Sequence, residues 1–353
     1  MIKRQKIGRL GKLKAKPVEG FSWRRQRLLG GIVFIVILAG AILIFWDWKS
    51  IKDVLAQADW KPLPWAFLLT FISYACISYS FARVSKLLKI RMGVKSLSEI
   101  GFISTSINHV LLSGGIAGYS VRFLFMGRHG VQVEEVIAVS VLHFYLTSLM
   151  MLGMLPFGFI YLLFNAAGKV GATIAFGVLS ALLFLVFILA TLILLNPSAR
   201  ARLLGFAGKI VQKVTRRNIR GDLEQLDDAL ARGLKAMQKE PAALATILLL
   251  IIVDWIASML TLGVCFLALG PGVHLGALMA GYVIGVMAGV LSMIPGGLGV
   301  QEGSMAGVFA LLGASFEQAL LASILYRAIY FLLPFLISLA FYGSLLREPT
   351  SEA

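Results

Sequence analysis

Four ionisable residues stand inside long apolar runs of this sequence: Arg122, Asp254, Glu302 and Arg327. A charged side chain at the centre of a membrane helix costs about 2.5–3.5 kcal/mol on the insertion scale, so four left alone would cost on the order of 10–14 kcal/mol. Two acids and two bases offset such a cost by pairing with each other, by lining a polar cavity, or by both. In a structural reading, Glu302 and Arg327 fasten neighbouring helices, and Asp254 is a buried structural carboxyl. In a functional reading, Arg122 and Arg327 bind a phosphate, because guanidinium is a planar fork of donors that matches phosphate oxygens. Glu302 and Asp254 then hold the arginines or meet a cationic headgroup. Asn108, Tyr119 and Gln301 are the polar neighbours that would complete a substrate site.

Glycines interrupt two of the apolar runs beside these charges. Gly114, Gly115 and Gly118 lie near one break, and Pro295, Gly296, Gly297 and Gly299 form the other. Broken helices expose backbone N–H groups, and a half-helix N-terminus aimed at an anion makes a phosphate site. The alternative is tight packing, which is the reading for Gly281, Gly285 and Gly289 at their four-residue spacing. The run from Gly297 is not a dinucleotide fingerprint, since Glu302 stands where the third glycine belongs.

No catalytic constellation emerges. His109 and His143 read as hydrogen-bonded structural groups, the H-E-x-x-H spacing is absent, and the adjacent acids Asp227 and Asp228 fall on a polar loop. The expectation is a non-enzyme with no catalytic residue, no metal and no cofactor. Without a nucleotide-binding motif, ATP-driven pumping is not expected either.

The elements around these residues follow from composition. Of 353 residues, 59% are hydrophobic and only 14% charged, with a mean hydropathy of +0.87. A soluble domain carries about 25% charged residues, so this chain cannot cover a water-exposed surface. Its long unbroken apolar runs also exclude an outer-membrane barrel. Cys76 and Cys265 both sit in apolar runs and form no disulfide framework. The fold class is therefore an all-α polytopic membrane protein.

Charge placement orients it. Ten basic residues lie in the first 27 positions, ten more between Arg200 and Lys239, and Arg83, Lys86, Lys89, Arg91 and Lys95 follow the second apolar run. Basic loops favour the cytoplasm, so residues 1–27 read as a cytoplasmic tail attracted to anionic lipid. Nucleic acid is not an expected partner, because the charge lies on loops with few aromatic residues to stack bases.

The predicted order is an anchor at 28–46, a first membrane unit at 63–195, a cytoplasmic amphipathic loop at 196–241, a second unit at 242–346 and a short tail at 347–353. Crossings are expected at 63–82, 136–164, 170–195, 242–269 and 319–346, which with the anchor gives about six. The broken runs at 97–126 and 275–313 have halves too short for the ~20 residues of a full crossing, so each is expected to be a re-entrant helical hairpin. By this topology the two hairpins enter from opposite faces. In the loop, Leu223, Leu226, Leu230, Leu234 and Met237 recur at helical spacing, predicting an interfacial helix pair that caps the protein or docks a lipid-modifying enzyme.

The two broken runs align at an offset of 182 residues, placing Gly114-Gly115-Ile116 on Gly296-Gly297-Leu298 and Glu135 on Glu317. Opposite orientation would make this an inverted repeat, a layout of many secondary transporters.

The segment from Gly114 to Arg122, followed by Gly130, resembles the first signature of the flippase-like membrane family that includes the transmembrane region of bacterial lysylphosphatidylglycerol synthases. The second signature resembles Ile294-Pro295-Gly296-Gly297-Leu298-Gly299-Val300-Gln301-Glu302, with Arg327 in the next helix. The similarity covers residues 60–346. Two positions depart from it: Ser113 replaces a proline, and Tyr119 an acid that would suit a lysyl headgroup. The resemblance implies an inner-membrane flippase or transporter for a phospholipid or modified, possibly aminoacylated, lipid, multi-pass with both termini cytoplasmic. Some relatives are fused to an aminoacyltransferase domain. The chain ends at Ala353, without room for one, so lipid synthesis by this polypeptide is not expected. An integral-membrane transferase and a non-transporting partner of a lipid-modifying enzyme are the competing readings, and a homo-oligomer is compatible with either.

Overall fold

The computed structural model describes residues 48–110, 116–165, 170–215, 220–292 and 294–347. Among these, all regular structure is helical: α1 (Trp48–Ala56), α2 (Leu63–Leu87), α3 (Val94–Val110), α4 (Ile116–Arg128), α5 (Val133–Asn165), α6 (Val170–Leu195), α7 (Pro197–Thr215), α8 (Arg220–Lys239), α9 (Pro241–Leu269), α10 (Leu275–Leu291), α11 (Val300–Leu311), α12 (Phe316–Arg327) and α13 (Leu333–Arg347). One π-helical turn, Ala328–Leu332, joins α12 to α13. The tail 1–27, the anchor at 28–46 and residues 348–353 lie outside the described residues.

Among the described residues, α2, α5, α9 and Phe316–Phe341 are long and apolar enough to cross a membrane, and the bent pair of α6 and α7 would raise the count to five. The protein is a polytopic helical membrane protein. Proline starts α2 and α9 at the position where a missing N–H costs nothing. Ser315 caps α12 by accepting from the Gln318 N–H at 3.2 Å. On α6, Val186, Leu189 and Leu192 stay more than half exposed, the condition of a face turned to lipid.

At the centre α2 and α9 pack antiparallel. The Asp59 N–H, just before α2, donates to the Ala268 carbonyl at the end of α9 at 2.8 Å, while midway Ser73 meets Asp254. Around this pair the partners are reciprocal: α3 lies on α13, and α10 lies on α5. α3 starts where α2 ends and α10 where α5 ends, so the hairpins enter from opposite ends of the bundle. At the second entrance Tyr161 stacks on His274 with centroids 5.7 Å apart. The 182-residue offset carries α3 onto α10, α4 onto α11 and α5 onto the span 316–347 with ends matching within two residues.

The amphipathic loop folds back on the bundle. Asn196 accepts from the Ser198 and Ala199 N–H groups, starting α7 at about 100° to the end of α6. Arg200 pairs with Asp227 and donates to the Leu194 carbonyl at 2.8 Å, tying α8 to a helix C-terminus that favours a cation. Ala229, Leu230 and Met237 are buried in a core shared with Leu142, Ile247 and Ile251, and Leu226 and Leu234 pack on it. The stripe thus seals the bundle. The first hairpin and first crossing also run longer than expected: α2 continues to Leu87 because Val84 and Leu87 are buried in that same core.

Candidate functional site

The second break is built by backbone geometry. Gly296, Gly297 and Gly299 have φ of 68°, 58° and 79°, a region that side chains disfavour. The close approach is equally demanding, since a Cβ on Gly297 would stand 3.0 Å from the Gly289 Cα. Beyond the break α11 begins, and Glu302 turns back to accept from the Gly299 N–H at 2.7 Å, the reach of a capping box. Its other oxygen pairs with Arg327. Arg327 also donates to the Gly296 carbonyl at 2.6 Å and weakly to Gln301 at 3.4 Å, and its guanidinium lies 4.9 Å from the Phe331 ring centre. Arg327 therefore directs three of its donors at this hairpin. Pro295 opens the 3₁₀ turn. Gly281, Gly285 and Gly289 give passage to Phe309, Met305 and Gln301 of α11, which is the packing role.

The first hairpin is arranged differently. The Gly118 N–H donates to Asn108 Oδ1 at 2.8 Å, and a Cβ on Gly118 would collide with the Asn108 amide and the Ser104 carbonyl. Gly114 and Gly115 lie outside the described residues. Arg122 is 4% exposed. Its Nε donates to Ser104 Oγ at 3.0 Å, and its guanidinium sits 4.3 Å from the centre of Phe81 and 5.5 Å from that of Tyr119. Among the described residues no carboxylate lies within ion-pair distance of it. The end of α3 meets the second break: the Val110 carbonyl lies 3.2 Å from where a Cβ on Gly296 would stand.

Between the end of α3 and the α2–α9 pair runs a set of polar groups of which the sequence singled out only His109 and Asp254. His109 stacks on Phe331 at 4.9 Å and shares a hydrogen bond of 2.8 Å with the Tyr74 hydroxyl. Tyr74 donates to the Tyr330 carbonyl at 3.0 Å. Ser73 donates to Asp254 and meets the Tyr330 hydroxyl at 2.6 Å. Nearby, Ser258 joins the Tyr282 and Tyr326 hydroxyls at 2.7 and 2.8 Å. Asp254 is thus held by hydroxyls, with no cation in ion-pair contact among the described residues. His143 bonds Ser80 at 2.9 Å. Both intramembrane histidines are hydrogen-bonded, as expected. The only sequence signal for Ser73, Tyr74 and Tyr330 was polarity within apolar helices.

Of the four charges, then, one pair forms, Asp254 takes hydroxyl partners, and Arg122 takes a serine and two rings. Polar residues at membrane depth with irregular backbone between them are tolerated where protein or a wet cavity surrounds them.

Comparison with known proteins agrees with this architecture. The chain matches the family model described as the lysylphosphatidylglycerol synthase TM region over residues 28–338. A UPF0104 membrane protein of Methanothermobacter thermautotrophicus is 23% identical over 310 residues, covering 85% of this chain and 90% of that protein. A phosphatidylglycerol lysyltransferase of Staphylococcus aureus is 32% identical over 87 residues, 25% of this chain and 10% of that protein. With helices, hairpins and match spanning most of its length, the chain belongs to the lysylphosphatidylglycerol synthase TM-region family of membrane proteins.

Proposed function

We propose that this protein moves a phospholipid, or a lipid with a modified headgroup, between the leaflets of a cytoplasmic membrane, with its basic face and both termini inside. The carrying observation is Arg122: a buried cation on the first hairpin, without a carboxylate partner among the described residues, whose one hydrogen bond there crosses the hairpin to Ser104. Contacts with Phe81 and Tyr119 offset part of its cost, at roughly 0.5–2 kcal/mol each. A lipid phosphate would supply the missing charge in the fork geometry that guanidinium favours. Arg327 and Glu302 hold the second hairpin in shape, and Gln301, Asn108 and Tyr119 border the path. Reciprocal packing of the two units about α2 and α9 supports an inverted repeat, the design in which two equivalent arrangements exchange access across the membrane. Relatedness to part of a phosphatidylglycerol lysyltransferase favours an anionic glycerophospholipid or its aminoacylated form as cargo.

The test uses purified protein in proteoliposomes containing a headgroup-accessible fluorescent phosphatidylglycerol, with leaflet exchange followed by dithionite quenching. Wild type is expected to accelerate exchange, Arg122→Ala to abolish the acceleration at unchanged thermal stability, and Arg122→Lys to retain part of it. Equal exchange by wild type and Arg122→Ala overturns the site, and no acceleration by wild type overturns the function.

A further inference from the structure

A polar concavity lies at the end of the bundle that carries the basic loops. It encloses about 720 Å³ between the α2–α3 turn, the α4–α5 turn and the last turns of α8. Lys89 and Arg91 come from the first of these segments, and Arg232, Lys235 and Lys239 from the last. The α8 cations stand at i, i+3 and i+7, a spacing that lines one helical face. That face is held in place, because a Cβ on the intervening Gly233 would collide with Leu142 and press Leu88. Lys89 adopts φ of 61°, a left-handed conformation rare for side chains other than glycine and asparagine. The turn it closes is bonded from the Ile90 N–H to the Ser85 carbonyl at 3.1 Å.

Five cations therefore converge from two distant segments on a cleft that holds two carboxylates, Glu135 and Glu240. Helix ends do not account for the excess. The C-termini of α2, α4 and α8 open here, each with about half a negative charge, but the N-termini of α3, α5 and α9 begin here too and carry the opposite sign. The positive-inside tendency explains basic residues at this end of the molecule. It does not explain their arrangement around one concave space over an apolar floor of Leu87, Ile90 and Ala236.

We infer that this cleft binds a phosphate-bearing anion. Its ligand is either a free phosphorylated solute or an anionic lipid headgroup, since both present the oxygens that converging Lys and Arg side chains take up through charge-assisted hydrogen bonds. The site is separate from Arg122 and independent of lipid movement. Occupancy would bridge α8 to the base of the first hairpin.

The experiment titrates the full-length chain, in uncharged detergent, with inorganic pyrophosphate in one arm and with dioctanoyl phosphatidylglycerol against dioctanoyl phosphatidylcholine in the other. The triple variant Arg232→Glu/Lys235→Glu/Lys239→Glu alters exposed side chains only, and Arg202→Glu on the exposed face of α7 is the charge control. Binding of pyrophosphate, or of phosphatidylglycerol over phosphatidylcholine, is expected. The triple variant is expected to weaken it at least about tenfold, the scale of losing charge-assisted contacts, with the control unchanged. Pyrophosphate binding identifies a solute site, and lipid binding alone a headgroup site. Arg122→Ala is expected to leave either intact, which separates this site from the translocation reading. Failure of both probes to bind, or equal losses in the triple variant and the control, overturns the inference.

Discussion

Arg327→Met tests how the second hairpin is held. The substitution removes the partner of Glu302, whose side chain is 8% exposed, while Arg327 itself is 17% exposed. Breaking a buried pair by deleting one member costs about 3–5 kcal/mol, chiefly from the charge left behind. Partial exposure of the pair and the surviving bond from the Gly299 N–H to Glu302 place Arg327→Met at the lower end, about 3 kcal/mol. Glu302→Gln keeps an acceptor near Gly299 but weakens a hydrogen bond between charged groups, at a cost of about 2 kcal/mol. The double variant has no stranded charge, so its cost should be about 2–3 kcal/mol rather than the sum, leaving a coupling of about 2–3 kcal/mol. Unfolding in mixed micelles of increasing dodecyl sulfate measures this, read by reaction of the free, buried Cys265 thiol in a Cys76→Ser background. Additive losses would show that the two residues act independently and would refute the fastening role assigned to Arg327.

Two further variants probe the packing on which the site depends. Gly118→Ala forces a methyl into the Asn108 amide and the Ser104 carbonyl and should cost about 1–3 kcal/mol; Gly127→Ala on the same helix meets nothing within 4 Å and should be neutral or stabilising by up to about 1 kcal/mol. The same dodecyl sulfate titration distinguishes them. Leu230→Ala, at a residue 4% exposed, should cost about 2–5 kcal/mol and open the α7–α8 pair to limited proteolysis. Leu203→Ala, 51% exposed on α7, should change stability by less than about 0.5 kcal/mol.

What the sequence made legible follows the range of the forces involved. Helix existence is local: unbroken apolar runs, Pro62 before α2 and Pro64 in its first turn, and Asn196 after α6 mark ends that the structure reproduces closely. The stripe from Leu226 to Met237 is local in pattern, and only its destination had to be seen. The π turn at Ala328–Leu332 has no glycine or proline to announce it, and it sets Tyr330 toward Ser73 and Phe331 toward His109 through tertiary contacts. Ser73 and Asp254 are 181 positions apart, and nothing distinguishes that serine in sequence from the others on α2. Composition showed that the charges needed partners, while the choice between serine, tyrosine and carboxylate was made by helix packing. The pairing of Glu302 with Arg327 fits both readings of these charges, and it forms because the capping turn at Gly299 aims one carboxylate oxygen back at its own helix and leaves the other for Arg327.

The difference between the two hairpins bears on which charge to test first. At the 182-residue offset, Arg122 corresponds to Ser304, Glu302 to Ser120 and Arg327 to Tyr145. Both hairpins have two half-helices of similar length, so neither geometry requires the charges of the other. In the second hairpin the charges are consumed internally: Glu302 caps α11, and Arg327 closes on Glu302 and Gly296. Removing them should loosen a fold. Arg122 makes one hydrogen bond among the described residues, to Ser104 of α3, and the bond from the Gly118 N–H to Asn108 ties the same two helices without it. A cation whose hairpin keeps a second tie in its absence, buried where a charge costs about 2.5–3.5 kcal/mol, is the residue whose loss should separate lipid movement from stability.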